Sequence, residues 1–243
     1  MVNKPRKRSN SSKPSTTSAP LSEARIVVAA MRIADRQGLE AISMRRIAGA
    51  LGAGAMSLYR HVGGKDQLLD LLLDRAYGEI TVPGAPSGDW REDLHDLARQ
   101  TRQVLKRHCW LGPLLTARPT FGLNYLRWFE FQLAATGVAG YDIKTRMRII
   151  GTVFAYVAGV VGYELGDEAA SRRHRLTPEG KRALAAPRLD PILASGKFPQ
   201  LALFIQQGAG EPSDEDFEFG LSCVLDGVAA RAATGACRPC HLD

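Results

Sequence analysis

The sequence predicts an all-α protein, and three observations carry that prediction. Apolar residues recur at three- and four-residue spacing in one segment after another, capping residues stand in front of those segments, and alternating strand patterns are nearly absent. Ser22 can cap a first helix whose inward face is Ile26, Ala30, Ile33 and Ala34 and which ends at Gly38. Ser43 caps a second, short helix with Ile47 and Leu51 inward, and Gly52-Ala53-Gly54 breaks it. A third short helix runs from about Ala55 to Val62 and stops at Gly63-Gly64; a fourth carries Leu68, Leu69, Leu71, Leu72, Leu73 and Ala76.

Residues 81–88, TVPGAPSG, hold two prolines and two glycines and mark a boundary. Asp89 with Glu92 has the spacing of a capping box, opening a helix with Leu94, Leu97, Val104 and Leu105 on one side. Short helical pieces are expected around Trp110–Ala117 and Phe121–Thr136, then a long helix capped by Asp142 and reaching about Asp167. Pro178, Pro187, Pro191 and Pro199 are expected to break 168–212 into short, partly exposed pieces. Ser213 caps a last helix, about Asp214 to Ala233, with Phe217, Leu221, Val224, Leu225 and Val228 inward. The uncharged run Ile149–Tyr163 spans 15 residues, fewer than the roughly 18–20 of a membrane span, and reads as a buried helix; no membrane partner is expected.

The net charge of +7 suggests a polyanionic partner, but five of the basic residues (Lys4, Arg6, Lys7, Arg8, Lys13) lie in the first twenty, leaving +2 for the rest. Those twenty residues are rich in Ser, Thr and Pro, so a disordered basic tail is expected at 1–20. They carry no apolar secretion core, and the expected location is cytoplasmic. Near the other end, Cys237-Arg-Pro-Cys240-His241 has the spacing of a c-type haem attachment, and Cys109 or Cys223 could add a zinc ligand. Without an export signal or a surrounding pocket, the pentapeptide reads as part of a frayed tail, 235–243, and neither cofactor nor metal is expected. The five histidines are scattered, and there is no H-E-x-x-H, nucleophile elbow or phosphate loop, so catalysis is not expected.

Residues 43–65 are different. A short helix, a glycine turn and a second short helix have the proportions of a helix-turn-helix, with Ala48 small at the crossing and Ile47, Leu51 and Leu58 as a miniature core. The stretch holds Arg45, Arg46, Arg60 and Lys65 and no acid. Segment 22–80 resembles the DNA-binding domain of TetR-family transcriptional regulators. The residues that carry the resemblance are Gly38-Leu39, Arg45 to Gly52, Leu58-Tyr59-x-His61-Val62, and Lys65 with Leu68-Leu69. More weakly, 89–108, Thr116-Ala117-Arg118-Pro119 and 142–164 resemble the C-terminal domain of the tetracycline repressor subgroup.

The resemblance implies a helix-turn-helix domain at 21–80 and an effector-binding and dimerisation domain at 81–234. It implies that Ser43, Ser57, Tyr59, His61 and Lys65 grip phosphates, that Arg45 and then Arg60 read base edges, and that Ala55 and Met56 offer only van der Waals contact. It further implies a homodimer, formed by the long helix and the last one, on a near-palindromic double-stranded operator. A small hydrophobic or drug-like effector would sit among Trp110, Phe121, Tyr125, Trp128, Phe129, Gln132 and Tyr156 and release the DNA. Aligning on Arg118-Pro119 puts Leu114 where the subgroup has a magnesium-binding histidine, which argues against a metal-chelated tetracycline. The competing expectation is sequence-independent DNA binding led by the basic tail.

Overall fold

The computed structural model describes residues 20–117, 121–174, 177–207 and 213–235, and among them every regular element is helical. The helices are α1 (Glu23–Gln37), α2 (Met44–Leu51), α3 (Ala55–Val62), α4 (Lys65–Tyr77), α5 (Trp90–Arg107), α6 (Gly112–Ala117), α7 (Leu123–Val138), α8 (Ile143–His174), α9 (Pro178–Ala194), α10 (Pro199–Gln207) and α11 (Asp214–Gly235), with 3₁₀ turns at Leu39–Ala41 and Cys109–Leu111. The tail residues 1–19, Arg118, Pro119, Cys237, Cys240 and His241 lie outside the described residues.

The first four helices close on a small core. Ser22 Oγ accepts from Arg25 N at 3.4 Å to start α1, and Ser43 Oγ accepts from Arg46 N at 3.2 Å to start α2. Ile26, Ile47, Leu58, Val62, Leu68 and Leu72 are fully buried together, each worth about 1.5–3 kcal/mol of apolar transfer. Leu58 is the pin that holds α3: truncation to Ala would cost about 2–5 kcal/mol and free that helix.

The second layer packs α5 against α7 and α8, and α11 against α8. Asp89 caps α5 through Arg91 N and Glu92 N, at 2.9 and 3.3 Å. The Asp89 amide is taken by Ser87 Oγ at 3.1 Å, the place a capping box would give to Glu92. Asp142 accepts from Thr145 N at 2.9 Å to start α8, and Ser213 exchanges hydrogen bonds with Asp216 to start α11. Phe217, Leu221 and Leu225 are buried, whereas Val224 and Val228 are half-buried beside a groove between α8 and α11.

Two sequence expectations need correcting. The long helix runs past Asp167 to His174, because nothing in 168–174 is a glycine or proline that would stop it. Likewise, Pro187 and Pro191 lie inside the 17-residue α9 and do not break it. Both prolines are exposed, as is Ala183, so the carbonyls they deprive of donors (Ala183 and Pro187) face the side where water can serve them. Pro178 and Pro199 do act as punctuation, each at a helix start. The membrane expectation also shifts: within α8, residues 143–167 reach 25 residues at mean hydropathy 1.5, long and apolar enough by length and composition to cross a bilayer. That stretch nevertheless packs on α5, α7 and α11, and near its end carries a buried Glu164 ion-paired to Arg102. Only 33% of its most apolar window is buried within the protomer.

Candidate nucleic-acid interface and effector face

The candidate DNA-reading head is organised by the turn between α2 and α3. Gly52 ends α2 at φ +64° and ψ +30°, the left-handed conformation that a Cβ disfavours, and its N–H returns to Ala48 O. Ala53 N also bonds Ala48 O, at 2.9 Å, which folds the chain tightly into α3. Leu58 and Val62 face inward on α3, so the positions around them face out. Met56 is 77% exposed and Tyr59 43%, unusual for large apolar side chains. Arg60 lies four residues after Met56 on the same face and donates from Nη2 to Ser57 Oγ at 3.4 Å. Ala55 is half-buried and packed against the core, so Met56 is the residue that the start of α3 presents outward.

Arg45 stands exposed on the first turn of α2. His61 and Lys65 are exposed at the end of α3 and the start of α4. The N-cap of α4, Gly64, supplies no side-chain cap, so the first amides of that helix are open to an anion beside the Lys65 ammonium. The structure thus places Ser43, Arg45, Met56, Ser57, Tyr59, Arg60, His61 and Lys65 on the surface of one helix-turn-helix, with four cations and no acid between 43 and 65. Such a unit can seat one short helix in a groove while hydroxyls, an amide terminus and cations hold phosphates.

The residues expected around an effector divide into two groups. Tyr125 and Phe129 stack at 5.9 Å with planes 10° apart, and Trp128 lies 5.8 Å from Tyr125. Gln132, one turn further along, is buried and donates from Nε2 to Trp128 O at 3.1 Å. The Trp128 indole N–H is buried and has no acceptor among the described residues. The remaining three are elsewhere. Trp110 donates to Asp35 at the junction with α1, Tyr156 donates to Phe217 O at 2.9 Å in the α8–α11 contact, and Phe121 is 78% exposed ahead of α7.

Sequence reasoning missed two members of the aromatic face. Tyr77 lies 5.1 Å from both Tyr125 and Trp128, and Phe154 meets Trp128 edge-on at 6.2 Å. Burial, with Tyr125 nearby, pushes the Tyr77 phenol well above its ordinary pKa. Tyr77 follows Leu73 at helical spacing on α4, which was the signal available; Phe154 was absorbed into the apolar run of α8.

Comparisons with known proteins agree with this geometry. A family model described as bacterial regulatory proteins, tetR family, matches residues 26–72, and one described as tetracyclin repressor-like, C-terminal domain, matches 82–232. The HTH-type transcriptional repressor DrrR1 of Streptomyces coeruleorubidus is 38% identical over 210 residues, covering 86% of this chain and 77% of its own length. An HTH-type transcriptional regulator of Saccharopolyspora erythraea is 36% identical, covering 90% of this chain and 89% of its own. Among solved structures, the Streptomyces coelicolor TetR family protein ActR in complex with actinorhodin is similar at a TM-score of 0.70 and 31% identity, over 88% of this chain and 99% of that one. The chain therefore belongs to the TetR family of transcriptional regulators, DNA-binding proteins and not enzymes, with an N-terminal helix-turn-helix and a tetracycline repressor-like C-terminal domain.

Proposed function

We propose that the protein is a cytoplasmic, homodimeric repressor that binds a near-palindromic operator and releases it when a small, flat, apolar effector enters the C-terminal domain. The observation that carries the DNA half is the exposed face of α3, where Met56, Tyr59 and Arg60 stand out from a helix anchored by Leu58 and Val62. Arg45 is the base reader we assign first and Arg60 the second, with Met56 contributing van der Waals contact, for instance to a thymine methyl. Ser43, Ser57, Tyr59, His61 and Lys65 hold the backbone.

The dimer reading is supported by α8 and α11. Ile149, Val224 and Val228 line a groove between them, and much of the apolar length of α8 is uncovered in the protomer. Two copies of each helix would form a four-helix bundle across a dyad. The α9–α10 hairpin, with Leu184, Ile192, Phe198 and Phe204 exposed, would also find cover on a second copy.

The effector reading is supported by the aromatic face of α7. Tyr77, Tyr125, Trp128, Phe129 and Phe154 offer flat apolar surface, and the Trp128 N–H offers a donor, so the effector should carry an acceptor oxygen or nitrogen. That the similar protein ActR is solved in complex with actinorhodin supports an organic small molecule as the effector.

In the effector-free dimer the two α3 helices stand about 34–36 Å apart, one DNA turn; the effector favours a wider spacing. Selection of bound duplexes from a random DNA pool by the full-length protein tests the DNA half. A near-palindrome is expected, and a pool that stays random would leave only tail-led, sequence-independent binding.

A further inference from the structure

Helix α7 has no cap of its own. Its N-cap residue is Gly122, which makes no side-chain cap bond, so the first amides of the helix need an acceptor from elsewhere. That acceptor comes from α4. Asp74 Oδ1 accepts from Asn124 N at 2.9 Å and from Tyr125 N at 3.0 Å, the two amides that an N-cap Ser or Asp would serve. The Asn124 side chain returns the contact, donating from Nδ2 to Asp74 Oδ2 at 3.0 Å and to Asp74 O at 3.2 Å.

The fit leaves no slack. A Cβ at Gly122 would overlap the Asp74 carboxyl group, and one at Gly78 would press on the Asn124 amide. Gly122 sits at φ −71° and ψ 157°, ordinary extended backbone, so its lack of a side chain answers a need for space and not for conformation. The usual arrangement, a polar N-cap side chain on the helix itself, has been given up in favour of a carboxylate from α4.

We infer that Asp74 is the coupling residue of the regulator, a positioning group that makes the first turn of α7 and the body of α4 move together. On one side α4 packs against α1 and α3, and on the other against α7. Tyr125, whose amide Asp74 caps, is also the ring that stacks on Phe129 in the aromatic face. An effector that shifts that ring shifts the cap, and the cap shifts the helix on which α3 rests. Tyr77 also meets Tyr125 and Trp128 across the α4–α7 contact, but through ring faces that can slide, whereas Asp74 holds the α7 amides by directional hydrogen bonds. The polar ties of His108 and Trp110 to Asp35 and of Arg107 to Glu79 run from the end of α5 and the turn after it, not from α7. This inference rests on the effector-responsive reading above and names the route by which that site is felt at the DNA.

Linkage makes the route testable from the DNA side, because coupling between two sites is reciprocal. The probe is a duplex that the wild-type, full-length protein selects from a random DNA pool, and the readout is hydrogen exchange at the Asn124 and Tyr125 amides with and without it. In the wild type these rates should change by about 5-fold or more on DNA binding. The variant D74A removes the link and adds no atom, whereas a serine at 122 would still collide with the Cβ of residue 74. It should bind the duplex within about 3-fold of the wild type, with the Asn124 and Tyr125 amides exchanging faster at rates that DNA no longer changes. If that variant does not fold, D74N, which keeps one acceptor oxygen but turns a donor toward Asn124, should lose at least half of the response.

Wild-type amides that ignore bound DNA would overturn the inference, as would a D74A protein that still responds like wild type. A loss of DNA affinity in D74A beyond 3-fold would overturn it too, since Asp74 would then belong to the head's own structure. If no duplex is selected at all, the regulator reading falls and this inference with it; a selected duplex with silent α7 amides sinks the inference alone.

Discussion

The indole of Trp110 donates from Nε1 to Asp35 Oδ1 at 2.7 Å, fastening the 3₁₀ turn after α5 to the last turn of α1. The same carboxylate oxygen faces His108 Nδ1 at 2.7 Å, while His108 Nε2 faces Glu79 at 3.2 Å. Trp110 and His108 are both buried, so Asp35 is the acceptor that two sequestered donors share. Asp35→Ala should therefore lower stability by about 2–4 kcal/mol, read as a fall in the urea midpoint at unchanged slope. Asp35→Asn, which keeps an acceptor oxygen, should lose less.

A second buried pair joins α5 to α8. Arg102 reaches Glu164 at 2.6 Å, with the two side chains only 9% and 5% exposed, and its guanidinium also lies 4.6 Å from the Phe217 ring centre. Removing Glu164 leaves the buried guanidinium with a single carboxylate partner among the described residues, the exposed Asp214 at 2.7 Å. Glu164→Ala should therefore cost less than the roughly 3–5 kcal/mol of a fully stranded charge, and replacing both Arg102 and Glu164 by methionine should cost less still. Equal losses in the two proteins would show that packing, not charge, is at stake.

The contact between α5 and α11 should depend on acid. Arg99 grips Glu218 through two hydrogen bonds, at 2.7 and 2.9 Å, and His95 approaches the same carboxylate at 2.9 Å. The hydrogen bond from Arg99 holds the Glu218 carboxyl below its ordinary 4.5 against a smaller opposing effect of burial. A folded-state pKa below the unfolded one gives stability that is present above pH 4.5 and is lost as pH falls through the folded value. The thermal midpoint of Glu218→Gln should thus lie below wild type at neutral pH, and the gap should close in acid. A gap that persists unchanged to about pH 3 would refute the assignment.

Much of this molecule was legible because its helices announce their own ends. Ser22, Ser43, Asp142 and Ser213 each cap the helix that follows, and Gly38, Gly52 and Gly63 close α1, α2 and α3. The head was legible too, since Leu58 and Val62 fix which side of α3 faces out. What the sequence hid is what long-range contacts decide. Nothing in the neighbourhood of Asp74 says that it caps a helix starting 49 residues later, and only the missing cap at Gly122 hints at it. Trp110, Phe121 and Tyr156 look like pocket residues in sequence, but an aromatic side chain declares its partner only in the fold; theirs are Asp35, solvent and Phe217. Pro187 and Pro191 misled because exposure on one side of a helix forgives the missing donors.

At the head, two substitutions should behave differently. Arg45→Ala should relax preference at one base position per half-site, costing about 1–3 kcal/mol on the selected duplex and little on a random one. Lys65→Ala should weaken both duplexes alike and lower the slope of log affinity against log salt by about 1 per protomer. Titrations across a salt series separate the two roles.

Two copies of this head reading two half-sites at once should respond sharply to the loss of one half. At one salt concentration, the affinity of the full-length protein for a selected duplex is compared with that for the same duplex with one half-site scrambled. Scrambling one half should lower affinity by on the order of 100-fold or more, with a dimer bound to the intact site. Equal affinity for the two duplexes, or a single protomer on the intact one, would rule out dimeric reading.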